Sequence, residues 1–293
     1  MQTKPSRQCP SPANDLAGWL GNGIGYKYNT SMSDAWDPAT YRKFAGERRQ
    51  PFHDLLALLD APVESAVDLG CGPGELTRLA ADVLGTRAMV GIDNSESMLA
   101  DSGEHVRDGV SFELGDIGTW TAAAAFDLVL ANASLQWVPD HPTVLRRWTA
   151  AIKPGGQLAV QVPANANMAS HTVAGEIAHR EPFLSAFGAD GPPGDPVEDN
   201  VLEPEQYAAL LYELGFTDQH VRLQVYPHVL ASSRSVVDWV RGTTLTRFQR
   251  RLDADMFAAF VNAYENRLIE VIGEHVPYFF PFRRILMWGR RGD

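Results

Sequence analysis

Between Val67 and Gly74 the chain reads VDLGCGPG, an apolar strand that stops in alternating glycines with a single carboxylate, Asp68, just before them. Such a strand end usually receives a nucleotide, and the neighbouring residue types decide which kind. A dinucleotide fingerprint needs a third glycine where Glu75 stands, and a P-loop needs a Gly-Lys-Ser/Thr that does not follow. The pattern is instead D-x-G-x-G-x-G. An acid at that strand end repels a pyrophosphate, yet it suits a ligand carrying an ammonium and a sulfonium. Asp93, in VGIDNSESML, and Asp116, in LGDIGTW, complete a series of three acids at strand ends. The two cysteines, Cys9 and Cys71, make neither a metal spacing nor a disulfide framework, and Cys71 reads as a small residue inside the loop. No metal site is expected.

The elements that must hold these residues alternate. Strands are expected at Ala66–Leu69, Ala88–Ile92, Val110–Leu114, Phe126–Ala131 and Gln157–Val162, with helices beginning at Glu75, Ser95 and His141. The Lys153-Pro154-Gly155-Gly156 turn stops the third of these helices. Alternation of this kind implies an α/β fold, a parallel sheet with helices on both faces and ligands at the carboxyl ends of the strands. Upstream, DPATYRKFAGERRQPFHDLLALLD opens as a helix at an Asp-Pro start, and Pro51 should break or kink it. Downstream, Ala169–Arg180 and Glu203–Leu214 read as helices around a Gly/Pro/Asp loop at Ala186–Asp199. FTDQHVRLQVYPHVL and RRILMWGRR read as strands flanking the mostly helical Val236–Ile272. Two strands separated by so long an insertion suggest a hairpin whose connection has grown into a lid.

The glycine stretch resembles the first motif of class I S-adenosylmethionine-dependent methyltransferases. NASLQWVPDH from Asn132 to His141, WDPATYRKFAGERRQPF near the start and FPFRRILM near the end resemble the trans-aconitate 2-methyltransferase family, over about Trp36 to Arg290. The resemblance implies a Rossmann-like fold with a mostly parallel seven-stranded sheet, a reversed last strand and a helical cap. It implies S-adenosyl-L-methionine as cofactor, held by Asp68, Gly70, Cys71, Gly72, Gly74, Asp93, Asn94, Met98, Asp116, Ile117 and Asn132. In that set Asp93 takes the paired ribose hydroxyls, while Asp116 accepts from the adenine amino group with Ile117 against the ring. It also implies methyl transfer to a carboxylate of trans-aconitate or a similar small polycarboxylate. A carboxylate is already ionised at neutral pH, so no general base is required.

Recognition of such an anion calls for fixed cations, since the 293-residue chain has 25 Lys+Arg against 36 Asp+Glu, a net charge of −11. That balance argues against nucleic-acid binding. Arg48, Arg283 and Arg284 are the candidates, with Tyr41 also in the substrate set although, like Phe44, it is a helix-face aromatic suited to core packing. Trp137 and His141 flank the loop after the fourth strand as positioning candidates; packing suits Trp137, and His141 either hydrogen-bonds the acceptor or simply starts a helix. Two rivals stand beside this reading. One is an O- or N-methyltransferase for another small acceptor, with His141 as base, and the other is a non-catalytic S-adenosylmethionine-binding module. No apolar stretch is long enough to span a bilayer and the start lacks a signal-peptide core, so a cytoplasmic protein is expected; the oligomeric state is left open, with a monomer favoured. Residues 1–33 read as a flexible extension. Residues 34–293 read as the methyltransferase domain, with cap elements at about 34–60, 163–200 and 230–280.

Overall fold

The computed structural model describes residues 45–292, with side chains from residue 49 onward. The expected boundary at residues 33 and 34 therefore lies outside the described residues, as do Tyr41 and Phe44. Seven strands form one sheet: β1 (Ser65–Leu69), β2 (Ala88–Asp93), β3 (Val110–Leu114), β4 (Phe126–Asn132), β5 (Ile152–Pro163), β6 (Phe216–Leu230) and β7 (Tyr278–Arg291). Their order is β3-β2-β1-β4-β5-β7-β6. The first five run parallel, and β7 lies antiparallel to both β5 and β6. This is the expected class I arrangement with its reversed last strand.

Helices α1 (Ala45–Leu56), α2 (Glu75–Leu84), α3 (Glu96–Ala100) and α4 (His141–Ala151) belong to the alternating half. They are followed by α5 (Ala169–Ala178), α6 (Phe183–Ala186), α7 (Pro196–Asn200) and α8 (Pro204–Glu213), then by α9 (Ser235–Arg241), α10 (Thr246–Gln249) and α11 (Ala254–Ile272). One face of the sheet packs Ala66, Leu130, Ala159 and Leu286 against Phe52 and Leu55 of α1 and Ala80 of α2. The opposite face packs Val67, Val129, Val160 and Ile285 against Leu145 and Trp148 of α4 and Tyr207 of α8. Successive residues of a strand point to opposite faces, so both registers are apolar because both faces are covered.

A third core forms the cap. Val173 and Ile177 of α5, Trp239 of α9, Phe248 of α10 and Phe260 and Tyr264 of α11 close around Phe280 and Phe282 of β7. Pairing of β5 with β7 ends at Pro163 opposite Arg284, whereas β6 and β7 stay paired out to Leu230 opposite Tyr278. The hairpin thus projects past the sheet and carries the cap on its far end.

Several local expectations are corrected. Pro51 sits inside α1 without ending it, because Phe52 and Leu55 are fully buried and hold the turn that follows it. Lys153-Pro154-Gly155-Gly156 ends α4, but it is taken up as an irregularity within β5, whose pairing with β4 jumps from Ile152 to Gln157. The Gly/Pro/Asp segment contains the single turn α7, capped by Asp195 on the Val197 N–H. The last strand begins at Tyr278 rather than at Arg283, because the apolar Phe280 and Phe282 pair on into the cap.

Candidate active site

The sequence-predicted cofactor residues lie at or just beyond the carboxyl ends of the parallel strands. Gly70, Gly72 and Gly74 all have positive φ, at 81°, 56° and 85°. A Cβ at Gly70 would lie 2.2 Å from Ser134 Cβ, and one at Gly74 would lie 2.6 Å from the Phe112 ring. These two glycines are therefore demanded by packing as well as by dihedral angle. Gly72 differs: a Cβ there would meet only Met98 Cε, at 3.7 Å. The open side of the loop lies at Gly72, with Met98 as its floor. Ser134 donates to the Leu69 carbonyl at 2.6 Å, which ties the turn after β4 to the glycine loop. Cys71 is a buried free thiol whose pKa burial pushes upward, as suits a small packing residue.

Asp93 braces this loop from β2. One carboxylate oxygen accepts from the Gly72 N–H at 2.8 Å and the other from the Ser95 N–H at 2.9 Å. Asp93 thus ties the open turn of the loop to the end of the neighbouring strand and to the start of α3. Asn94 beside it is exposed. Asp116 is exposed in the turn after β3, held by the N–H of Gly118 at 2.9 Å. That turn is anchored from α4, where Trp148 Nε1 donates to the Ile117 carbonyl at 3.0 Å, with the Ile117 side chain buried beside it. Asp68 is deeply buried and accepts from Thr77 Oγ1 of α2 at 2.6 Å. Burial pushes its pKa up to about 7; the Thr77 bond works against this and the nearby Asp93 carboxylate adds to it. A cation placed beside Asp68 would favour its charged form.

Asn132 ends β4 opposite Gln161 of β5, and its Oδ1 is buried without a hydrogen-bond partner among the described residues. An open glycine and an orphaned acceptor at the same strand ends fit a bound cofactor with an amino group.

On the acceptor side the structure separates residues that the sequence groups together. Arg284 is 6% exposed; it donates to Gln161 Oε1 at 2.9 Å and stands 5.0 Å over the Phe282 ring. Arg283 points to the other face of the sheet, where its guanidinium bonds Asn167 Oδ1 and its N–H donates to Asn165 Oδ1 at 2.8 Å. It fastens the loop after β5, and of the two only Arg284 shares the face of Asp68 and Asn132. Arg48 lies on α1, its side chain outside the described residues. Trp137 is half-buried in the short turn Leu135–Trp137.

His141 requires a correction. It starts α4 and is 1% exposed, with Nε2 3.0 Å from the Leu135 carbonyl and Nδ1 2.7 Å from Tyr207 Oη. A carbonyl only accepts, so Nε2 carries the proton and Nδ1 receives the Tyr207 hydroxyl; that hydroxyl in turn accepts from the Leu202 N–H. Burial pushes the His141 pKa down to about 4. Both ring nitrogens are consumed, so neither the acceptor-bonding role nor the base of the rival reading survives. Thr77, Ser134, Tyr207 and Gln161 were not singled out by the sequence. For Gln161 a signal existed, as a second amide four residues after Gln157 in an otherwise apolar strand.

The sheet order, the glycine loop and the acids on successive strand ends are the build of a class I S-adenosylmethionine-dependent methyltransferase. A methyltransferase-domain family model matches residues 62–188. Phosphoethanolamine N-methyltransferase 2 of Haemonchus contortus, solved with S-adenosyl-L-methionine, shares the fold at TM-score 0.52 and 17% identity, covering 83% of this chain and 53% of that one. The trans-aconitate 2-methyltransferase of Deinococcus radiodurans is 39% identical over 261 residues, 88% of this chain and 99% of that protein. Its counterpart from Variovorax paradoxus is 40% identical over 235 residues, 80% and 88% of the two chains. The chain belongs to the trans-aconitate 2-methyltransferase family.

Proposed function

We propose that this protein transfers a methyl group from S-adenosylmethionine to a carboxylate of trans-aconitate or a closely similar small polycarboxylate, giving a methyl ester. The observation that carries the reading is similarity to enzymes of that name along nearly the whole length of both chains. Bound S-adenosylmethionine supplies a sulfonium methyl open to in-line displacement. The protein's own residues bind and orient. Asp93 holds the ribose hydroxyls while bracing Gly72, and Asp116 with Ile117 takes the adenine. Asp68 and Asn132 Oδ1 face the cationic end of the cofactor. Arg284, itself nearly buried, receives a carboxylate of the acceptor through its guanidinium. No described histidine needs to move a proton, because the nucleophile arrives ionised.

The acceptor is thus a small anion rather than a nucleic acid. A cytoplasmic setting goes with it, supported by the free Cys71 thiol and by the lack, among the described residues, of a helix long and apolar enough to cross a membrane. The test is methyl transfer from labelled S-adenosylmethionine to a panel of di- and tricarboxylic acids. Alkali-labile methyl esters formed from trans-aconitate are the expected product; label that resists alkali, or no transfer to any polycarboxylate, overturns the reading.

A further inference from the structure

Resting on that reading of the acceptor, we infer that Gln161 is the specificity-determining amide of the acceptor pocket, its Nε2 forming with the Arg284 guanidinium a two-donor receptor for one non-reacting carboxylate. Gln161 is 0% exposed, and its Nε2 has no hydrogen-bond partner among the described residues. Its orientation is fixed chemically: Oε1 accepts from Arg284 Nη1 at 2.9 Å, and flipping the amide would set two donors against each other. The unused group is therefore a donor. It stands beside a fixed positive charge, which is the combination an anion requires.

Gln157, on the same strand and face, supplies an internal comparison. It is equally buried, yet its Oε1 accepts from Trp288 Nε1 at 2.9 Å and from the Asp60 N–H at 3.1 Å, while its Nε2 donates to the Ala61 carbonyl at 3.2 Å. Gln157 thus satisfies both ends of its amide, and the third buried glutamine, Gln136, spends its Nε2 on the Ala133 carbonyl and leaves only its oxygen unpartnered; among the three, Gln161 alone keeps an unused donor. Leaving a donor unmade is costly, so the half-satisfied Gln161 calls for a ligand. Its position says which one. Gln161 sits one strand from Asn132 and is bonded to Arg284, on the face shared with Asp68, where β5 and β7 part. The cofactor motifs lie on β1 to β4, so the end of β5 belongs to the acceptor.

The experiment begins with the wild type, whose methylation of trans-aconitate tests the acceptor reading by itself; if no polycarboxylate is methylated, this inference falls with it. Gln161→Glu keeps length and the Arg284 contact but replaces the donor by an anionic oxygen. Gln161→Met removes the amide altogether. Expected are KM increases for trans-aconitate of about thirtyfold or more for Glu and about tenfold for Met. The dissociation constant of S-adenosylmethionine, measured by calorimetry, should stay within about twofold. Among analogues of trans-aconitate carrying an amide in place of one carboxylate at a time, one should lose this sensitivity. A folded Glu variant with unchanged KM, a matching loss of cofactor affinity, or equal sensitivity in every analogue overturns the assignment. Should neither variant fold, the side-chain amide resonance of Gln161 in 15N-glutamine-labelled wild type decides. Trans-aconitate added to the protein with S-adenosylhomocysteine should shift it and slow its exchange, and an unmoved resonance overturns the inference.

Discussion

Asp68→Asn should make the cofactor-free protein more stable and its cofactor binding weaker. The carboxyl is buried and its pKa stands at about 7 instead of 3.8, with burial the main cause. A raised carboxyl pKa means that folding favours the neutral form. The penalty is absent below the unfolded value near pH 4, grows as pH rises towards 7 and is complete above it. At about 1.4 kcal/mol per pKa unit, the three-unit shift corresponds to a penalty of roughly 4 kcal/mol, of which about half should be recovered in practice. Asparagine keeps an acceptor for Thr77 Oγ1 and carries no charge. For a chain of this size that gain is worth at least about 4 °C in Tm at pH 8. The advantage should shrink at pH 5, where wild-type Asp68 is protonated. Thermal melts at both pH values, with and without S-adenosylmethionine, provide the assay. The cofactor should raise the wild-type Tm more than the variant's, and calorimetry should show wild-type affinity falling as pH drops below 7, with less dependence in the variant. A variant less stable than wild type at pH 8, with undiminished cofactor affinity, would refute the placement of a cation beside Asp68.

Asp93→Ala removes charge-assisted bonds worth about 1.5–3 kcal/mol and should weaken S-adenosylmethionine binding at least about tenfold by calorimetry, as the Gly72 and Ser95 N–H groups also lose their acceptor. Arg284→Ala should raise KM for trans-aconitate by about tenfold or more, and Arg284→Lys should recover only part of it, because a point charge cannot reproduce the fork. For His141 the folded pKa near 4 lies below the ordinary 6.5, so its stabilisation is complete above about pH 6.5 and is lost as pH falls towards 4. That loss should reach about 2–3 kcal/mol in acid melts. Turnover at saturating substrates should stay flat from about pH 6.5 to 9. His141→Gln should lower Tm while leaving kcat within about twofold; a rate climbing through the histidine range would restore the base that the structure removes.

The cofactor half was legible because its signals are local. Gly70, Gly72 and Gly74 follow Asp68 within six residues, Asp93 ends a strand that periodicity marks out, and Asp116 stands two residues beyond another. The acceptor half was legible only as a list of cations. Nothing in the string Arg283-Arg284 says that a pleat sends one side chain to the Asn165–Asn167 loop and the other to Gln161. His141 misled for the opposite reason. Its neighbours in sequence suggested a methyl site, while the partner that consumes Nδ1, Tyr207, is 66 residues away. Pro51 was overread because local propensity yields to the burial of Phe52 and Leu55.

The strand order has a consequence for how the molecule comes into being. β6 pairs only with β7, and β7 fills the gap between β6 and β5. While the chain is being synthesised, everything from β1 to β5 can settle before residue 278 exists, yet β6 and the helices that follow it have no sheet to join. The last strand made is an interior one, and its arrival closes the contact between Gln161 and Arg284 across 123 residues. Contacts so distant in sequence form late and slowly. A nascent chain therefore completes the glycine-loop end of the sheet early and gains the Gln161–Arg284 contact only once β7 has been made.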